Sequence, residues 1–362
     1  MEKNKRIRYW DIAKGIAIIL VIVGHIGSIP PFMRATIFSF HMPLFFIASA
    51  FFIKSYDIKN TLKRSARNLL VPYAAVCLIS AFIDAGKNAD IATNWKILVD
   101  RVLDMFAGMS KIQGVCENFH SVWLVWFVIC LFLSRIIYVS IMQITKRFPW
   151  FVSLQIIFGL SVSGVVLGKK IGFLPWSADV ALFAIFFLWV GDHSKFAIDY
   201  FRKYKYTSEI ILPAVILSGV AWIYLVRKGY YIEMATRRYE GGPLCVLTAL
   251  LATFVILMIS MFLDKYLKYS SALFSWFGKN SLYILIVHCL EMRFFDWGKY
   301  IYPHMPCVID GIWCREIIVK TLFILLISGF LVFIRRITVN LDSAWEKAET
   351  ESSISMRIRN PG

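Results

Sequence analysis

The stretch YWDIAKGIAIILVIVGHIG, residues 9–27, has the length and apolar content of a membrane span, yet Asp11, Lys14 and His25 are written into it. Hydrocarbon penalises each of these side chains, so their presence in a spanning segment points to a task beyond packing. Outward from this stretch, similar apolar runs recur along the whole chain of 362 residues. With 59% hydrophobic residues spread in this way, no single soluble core accounts for them. The class implied is all-α: a polytopic integral membrane protein. The longest polar interruptions, residues 85–120 and 291–315, still carry Trp and Phe, so residues 1–340 read as one transmembrane domain and 341–362 as a cytoplasmic tail. The first run is as long as a full span and no small-residue cleavage site follows it, so it is expected to stay as helix one and not to be removed as a signal peptide.

A span needs roughly 20 apolar residues, with about 17 tolerable. On that measure ten segments are candidates, the third of them short: 12–29, 36–53, 69–84, 121–141, 150–168, 174–192, 207–226, 243–263, 272–290 and 316–334. Lys and Arg in the short connections set the orientation. The N-terminal tail carries Lys3, Lys5, Arg6 and Arg8; the second connection carries Lys54, Lys59, Lys63, Arg64 and Arg67; later even-numbered connections carry Lys146, Arg147, Lys195, Arg202, Lys265 and Lys268. Assigning that side to the cytoplasm places both termini there, while Lys169, Lys170 and the stretch Arg227–Arg238 run against the count. The formal net charge of +17 is then attraction to the inner leaflet, because the basic residues are dispersed at helix ends and not gathered as a nucleic-acid surface. Of seven cysteines, Cys77, Cys130, Cys245 and Cys289 sit in apolar runs as packing residues, while Cys116, Cys307 and Cys314 fall in outer loops where disulfide pairing is open. No CxxC, HExxH, P-loop or GxSxG motif occurs, no internal repeat is evident, and no metal is expected.

On a helix, Lys14 and His25 lie about 16 Å apart along the axis and point the same way, since eleven positions make close to three turns. Asp11 shares that face. A second imidazole, His41, opens FHMPLFF after the short turn GSIPPFMR and so returns to the depth of His25. A third, His288, ends FGKNSLYILIVH near the outer end of helix nine. Three imidazoles at one membrane level outweigh the bland reading of each as a hydrogen-bonded packing residue. Metal binding by the three lacks an evident acidic second shell.

These residues resemble the acyltransferase-3 family of integral membrane O-acyltransferases, especially its fucose-4-O-acetylase-like branch. The resemblance rests on DIAKGIAIILVIVGH, FHMPLFF, LVWFVICLF and FGKNSLYILIVH, which run in order from residue 11 to residue 288. Many members have Arg where this chain has Lys14, which keeps the charge but loses a planar fork. The resemblance implies transfer of an acyl group, usually acetyl, from cytoplasmic acetyl-CoA or another acyl-CoA to a hydroxyl of an extracytoplasmic carbohydrate or cell-envelope molecule, at a multi-pass membrane location.

Under that reading Lys14, helped by Arg8, Arg64 and Arg67, holds the phosphates of the donor at the cytoplasmic mouth, and the thioester reaches His25, which acts as general base. Glu117, in CENFHSVW, is the candidate orienting partner of His25; His120 rivals it, with Asp84 and Asp179 as weaker options. His41, His288, Asn280 and Ser281 are candidates for holding the acyl oxygen or the acceptor, although Asn280 and Ser281 equally suit the capped start of a helix. Trp123 is a candidate sugar platform, against the plainer role of an interface aromatic. The rival class is a secondary transporter or flippase of a polar envelope precursor, with the imidazoles as a proton relay. The topology is checked by Asp90→Cys in a background freed of its own cysteines: an impermeant thiol reagent should label it from the outside of intact cells, and labelling only after permeabilisation overturns the count.

Overall fold

The computed structural model describes residues 7–87, 90–109, 120–203, 207–301 and 315–337. The protein is all-α and polytopic. Its helices are α1 (Arg8–Gly24), α2 (Pro31–Phe38), α3 (His41–Phe51), α4 (Ile58–Ser65), α5 (Val71–Ala85), α6 (Ile91–Ala107), α7 (Trp126–Thr145), α8 (Trp150–Lys170), α9 (Ala178–Lys203), α10 (Thr207–Arg227), α11 (Pro243–Tyr266), α12 (Lys268–Lys279), α13 (Ser281–Phe294), α14 (Trp297–Tyr300) and α15 (Arg315–Ile337). A two-residue hairpin, β1 (Ile232–Glu233) with β2 (Arg238–Tyr239), is the one β element among the described residues. Among the described residues, eight segments are long and apolar enough to cross a bilayer, and α12 with α13 make a ninth if counted as one span bent by 68°. Helix α1 has 17 residues, at the lower limit for spanning.

Several boundaries differ from those expected of the sequence, each for a local reason. Helix one ends at Gly24, and the turn expected after it already contains α2, started by Pro31 at the first helical position. Helix two breaks after α2 and restarts at His41. The basic second connection is helical: Asp57 caps α4 by accepting from the Asn60 amide at 3.1 Å, and a π turn, Ala66–Leu70, joins α4 to α5. The polar interruption beginning at residue 85 holds α6, where the Asp90 carboxylate accepts from the Thr93 amide at 2.8 Å. Helix nine breaks at Asn280, and no side-chain bond caps α13; Asn280 Nδ2 instead donates to the Trp276 carbonyl at 2.9 Å.

Helix α7 and the first part of α9 are mostly buried, while α10 and α15 leave most of their apolar surface outside, as lipid-facing helices do. Close contact in the interior depends on glycine. A Cβ on Gly278 of α12 would stand 1.7 Å from the Asp11 carbonyl oxygen, and one on Gly15 of α1 would stand 2.0 Å from the Phe274 carbonyl oxygen. The two helices therefore cross backbone against backbone, with small residues doing what side-chain packing does elsewhere. The arginines that counted against the expected topology have partners: Arg237, buried beside the Phe173 ring, meets Asp179 at 2.8 and 3.0 Å, and Arg238 lies 3.9 Å from Glu233.

Gly278→Ala should force α1 and α12 apart and cost about 1–3 kcal/mol or more, read as a lower melting temperature in detergent. Gly159→Ala, where a Cβ would meet nothing within 4 Å, is the matched control and should leave that temperature unchanged.

Candidate active site

Where α1 stops, the chain turns and His25 takes the C-cap position. Gly24 admits the Phe38 ring, which a Cβ there would meet at 2.7 Å. His25 Nδ1 lies 2.7 Å from the Val21 carbonyl. A carbonyl only accepts, so Nδ1 carries the proton and Nε2 is left with a lone pair. His41 Nδ1 donates in the same way to the Ile37 carbonyl at 2.9 Å. The Phe38 ring stands between the two, its centroid 5.6 Å from that of His25 and 5.1 Å from that of His41. His288, from α13, meets His25 edge-on with centroids 5.6 Å apart. The fold thus gathers the three histidines at one level. Among the described residues, no three His, Cys, Asp or Glu side chains are placed to share a metal ion.

A cavity of about 340 Å³ runs between α1 and α3. These helices are antiparallel beside it: His41 stands near His25 at one end, and at the other Lys14 Nζ lies 6.0 Å from the centre of the Phe52 ring. Apolar side chains of Ile18, Val21, Met42, Phe45 and Leu131 line the middle. Lys14 pairs with Asp11 at 2.9 Å, the carboxylate being almost wholly buried. Arg135, half-way along α7, also lines the cavity and donates from Nη1 to Ser49 Oγ at 3.0 Å. The β1 strand and the turn after it contribute Ile232 to Ala235 to the wall.

A second, more open pocket of about 550 Å³ is lined by Ser28, Glu291, Asp296, Trp297, Glu316 and Lys320, among others. Among the described residues, His25 is the one that lines both spaces. Glu291, one turn beyond His288 on α13, accepts from His288 Nδ1 at 3.1 Å and from the Trp297 indole, and lies 4.0 Å from Lys320 Nζ.

The remaining expected site residues are dispersed. Glu117 lies outside the described residues. His120 is taken by Asp104, whose carboxylate accepts from its amide at 2.7 Å and from Nδ1 at 3.1 Å. Neither alternative acid faces His25: Asp84 is held by Arg293, Arg101 and Lys87, and Asp179 by Arg237. Arg8 turns to Asp264 of α11 at 3.4 Å, and Arg64 and Arg67 point to the exterior, none of them lining the cavity. Ser281 lines it; Asn280 and Trp123 do not, the latter being exposed.

Sequence reasoning missed Arg135 and Glu291. Both carried a legible signal: Arg135 interrupts the apolar run VICLFLSRIIYVSI as Lys14 interrupts the first, and Glu291 follows His288 at a spacing that puts both on one helix face.

The family model for acyltransferase-3, described as an acyltransferase domain, matches residues 7–336. The chain belongs to the acyltransferase-3 family. As a member it is a membrane acyltransferase, and the matched region takes in both cavities. No curated protein and no solved structure matches the chain.

The Asp11–Lys14 pair makes a stability prediction of its own. Lys14→Met takes the cation away from a carboxylate that is 1% exposed, which should cost on the order of 3 kcal/mol. Adding Asp11→Asn should recover much of the loss in melting temperature. Full stability in Lys14→Met alone overturns the pairing.

Proposed function

We propose that this acyltransferase is an O-acetyltransferase of the bacterial cytoplasmic membrane, within the fucose-4-O-acetylase-like branch. It takes the acetyl group from cytoplasmic acetyl-CoA and places it on a hydroxyl of an extracytoplasmic carbohydrate of the cell envelope, with His25 as general base. The observation that carries the reading is the position of His25 as the one described residue common to both spaces. A thioester delivered along the α1–α3 cavity and a hydroxyl delivered through the outer pocket meet at its imidazole.

The Lys and Arg asymmetry supports a cytoplasmic Lys14 end and an extracytoplasmic His25 end. The apolar middle of the cavity suits the thin pantetheine arm, and the polyanionic part of the donor stays at the cationic end. The outer pocket combines the carboxylates of Glu291, Asp296 and Glu316, the Lys320 ammonium and the Trp297 indole. Such a lining suits a polyhydroxylated acceptor, because hydroxyls both donate and accept hydrogen bonds.

In the reaction, the acceptor hydroxyl gives its proton to His25 Nε2 as its oxygen attacks the thioester carbonyl carbon. The tetrahedral intermediate collapses with cleavage of the carbon–sulfur bond. The coenzyme A thiolate leaves and takes the proton from the imidazolium, so the products are the acetyl ester and free coenzyme A. The bond from Nδ1 to Val21 keeps the ring in the tautomer that this step needs.

His25→Ala should lower transfer of labelled acetyl from acetyl-CoA to an envelope carbohydrate extract by about 10²-fold to 10⁴-fold, the range for a general base. Melting temperature and coenzyme A binding should stay close to wild type. Near-normal turnover in His25→Ala overturns the base assignment, and movement of the carbohydrate without acetylation favours the transporter reading.

A further inference from the structure

Arg135 has no carboxylate partner among the described residues. A guanidinium inside a membrane span is costly, and such groups are ordinarily paired. Three other interior arginines are paired with carboxylates: Arg237 is held by Asp179 through two nitrogens, Arg293 by Asp84, and Arg101 by Asp84 and Asp104, while Arg34 bonds to the Ile26 and Gly27 carbonyls outside this cavity. Arg135 instead has the neutral Ser49 hydroxyl at 3.0 Å, and its Nε is buried without a hydrogen-bond partner.

The neighbouring charges leave Arg135 uncompensated. Lys14, in the same cavity, is offset by Asp11 at 2.9 Å, and Glu233, the carboxylate of the cavity wall, lies 3.9 Å from Arg238. The net charge offered to a ligand at the Lys14 end is therefore the guanidinium. Its planar fork suits two oxygens of a phosphate group, and Lys14, on the wall of the same cavity, adds a compact second cation. From Lys14 to His25 the cavity follows α1 for about 16 Å, and the wall between is apolar.

We infer that Arg135, with Lys14 beside it, binds the 5′-diphosphate of the acyl donor within the membrane domain, so that the pantetheine arm lies along the cavity toward His25. The inference rests on the acyl-CoA reading above. It moves the phosphate site from the surface cluster of Arg8, Arg64 and Arg67 to the interior wall of α7.

The test measures binding of coenzyme A and of pantetheine, which lacks the phosphates, to the purified full chain in nanodiscs of neutral phospholipid, with melting temperature recorded for each variant. Arg135→Gln should weaken coenzyme A binding by about 10-fold or more, the scale of charge-assisted hydrogen bonds, and leave pantetheine binding unchanged. Arg135→Lys should recover part of the loss. Should Arg135→Gln fail to fold, the wild-type protein answers the question by itself: phenylglyoxal should modify Arg135 in the free protein, and saturating coenzyme A should protect it where pantetheine does not. Unchanged coenzyme A affinity in a folded Arg135→Gln protein overturns the inference, as does an equal loss for both ligands. Repeating the titration with phosphatidylglycerol in the nanodisc separates the two phosphate sources, and Arg135-dependent competition by that lipid assigns the site to a headgroup and overturns the donor assignment. A wild-type protein that binds no coenzyme A removes the acyl-CoA reading itself, whereas wild-type binding untouched by Arg135→Gln removes this inference alone.

Discussion

At Gly15 and Gly278, helices α1 and α12 come so close that the carbonyls of Phe274 and Asp11 occupy the space where side chains would begin. Two sides of the site hang from this crossing. Helix α1 carries Lys14 and leads to His25, and α12 leads through the 68° bend at Asn280 into α13, which carries His288 and Glu291. In a bilayer, where hydrocarbon gives two helices no hydrophobic reason to associate, close van der Waals approach is a main source of attraction. A rigid crossing there fixes the relative positions of two imidazoles without the use of a side chain. The same device recurs between α9 and α3, the helix on the far wall of the cavity, where a Cβ on Gly191 would stand 2.1 Å from the Ile47 carbonyl oxygen.

Charge is handled in two distinct ways inside this scaffold. Most interior ionic groups are closed pairs or small networks: Asp179 with Arg237, Asp84 with Arg293 and Arg101, and Asp192 with Lys195 and the hydroxyls of Tyr56 and Tyr138. These tie α9 to α7 and to the hairpin turn, and α5 to α6 and α13, because a buried charge deprived of its partner is strongly destabilising. Along the α1–α3 cavity the arrangement is open. His25 and His41 use one ring nitrogen each on a backbone carbonyl and keep the other, and Arg135 keeps a nitrogen without a partner. A buried charged group left short of partners is expensive, and Arg135 is such a group on the wall of this cavity.

The two spaces that His25 lines give the proposed transfer across a membrane its physical account. A polyanion such as coenzyme A does not cross hydrocarbon, and a glycan does not either; only the reacting atoms need to meet. Under the proposed function, the channel with cations at one end and imidazoles at the other takes the narrow part of the donor, and the polar pocket takes the acceptor. The Glu291–His288 pair sits directly behind this meeting point, with Trp297 and Lys320 closing around the carboxylate. Its placement behind the His25 ring fixes that part of α13 against α1.

By itself the sequence determined the class, the approximate spans and the stripe on the first helix, because hydropathy, the Lys and Arg bias and helical periodicity are properties of neighbouring residues. Lys14, His25 and His41 are legible for the same reason, being ionisable groups in runs that otherwise exclude them. Breaks in helices two and nine, the helical course of residues 58–70 and the α6 helix were not legible, since each depends on caps and on packing against distant segments. Partnership was decided only by the tertiary structure. Asp84 and Asp179 read as spare acids until Arg293 and Arg237, 209 and 58 residues away in the chain, are seen beside them. Arg135 is legible as a charge within an apolar run, but that it stands without a carboxylate shows only when its neighbours, Ser49 first, are seen. The physical reason is common to all of these: whether a charge is satisfied depends on what stands within a few ångströms in space, and spacing along one helix reports only on its own face.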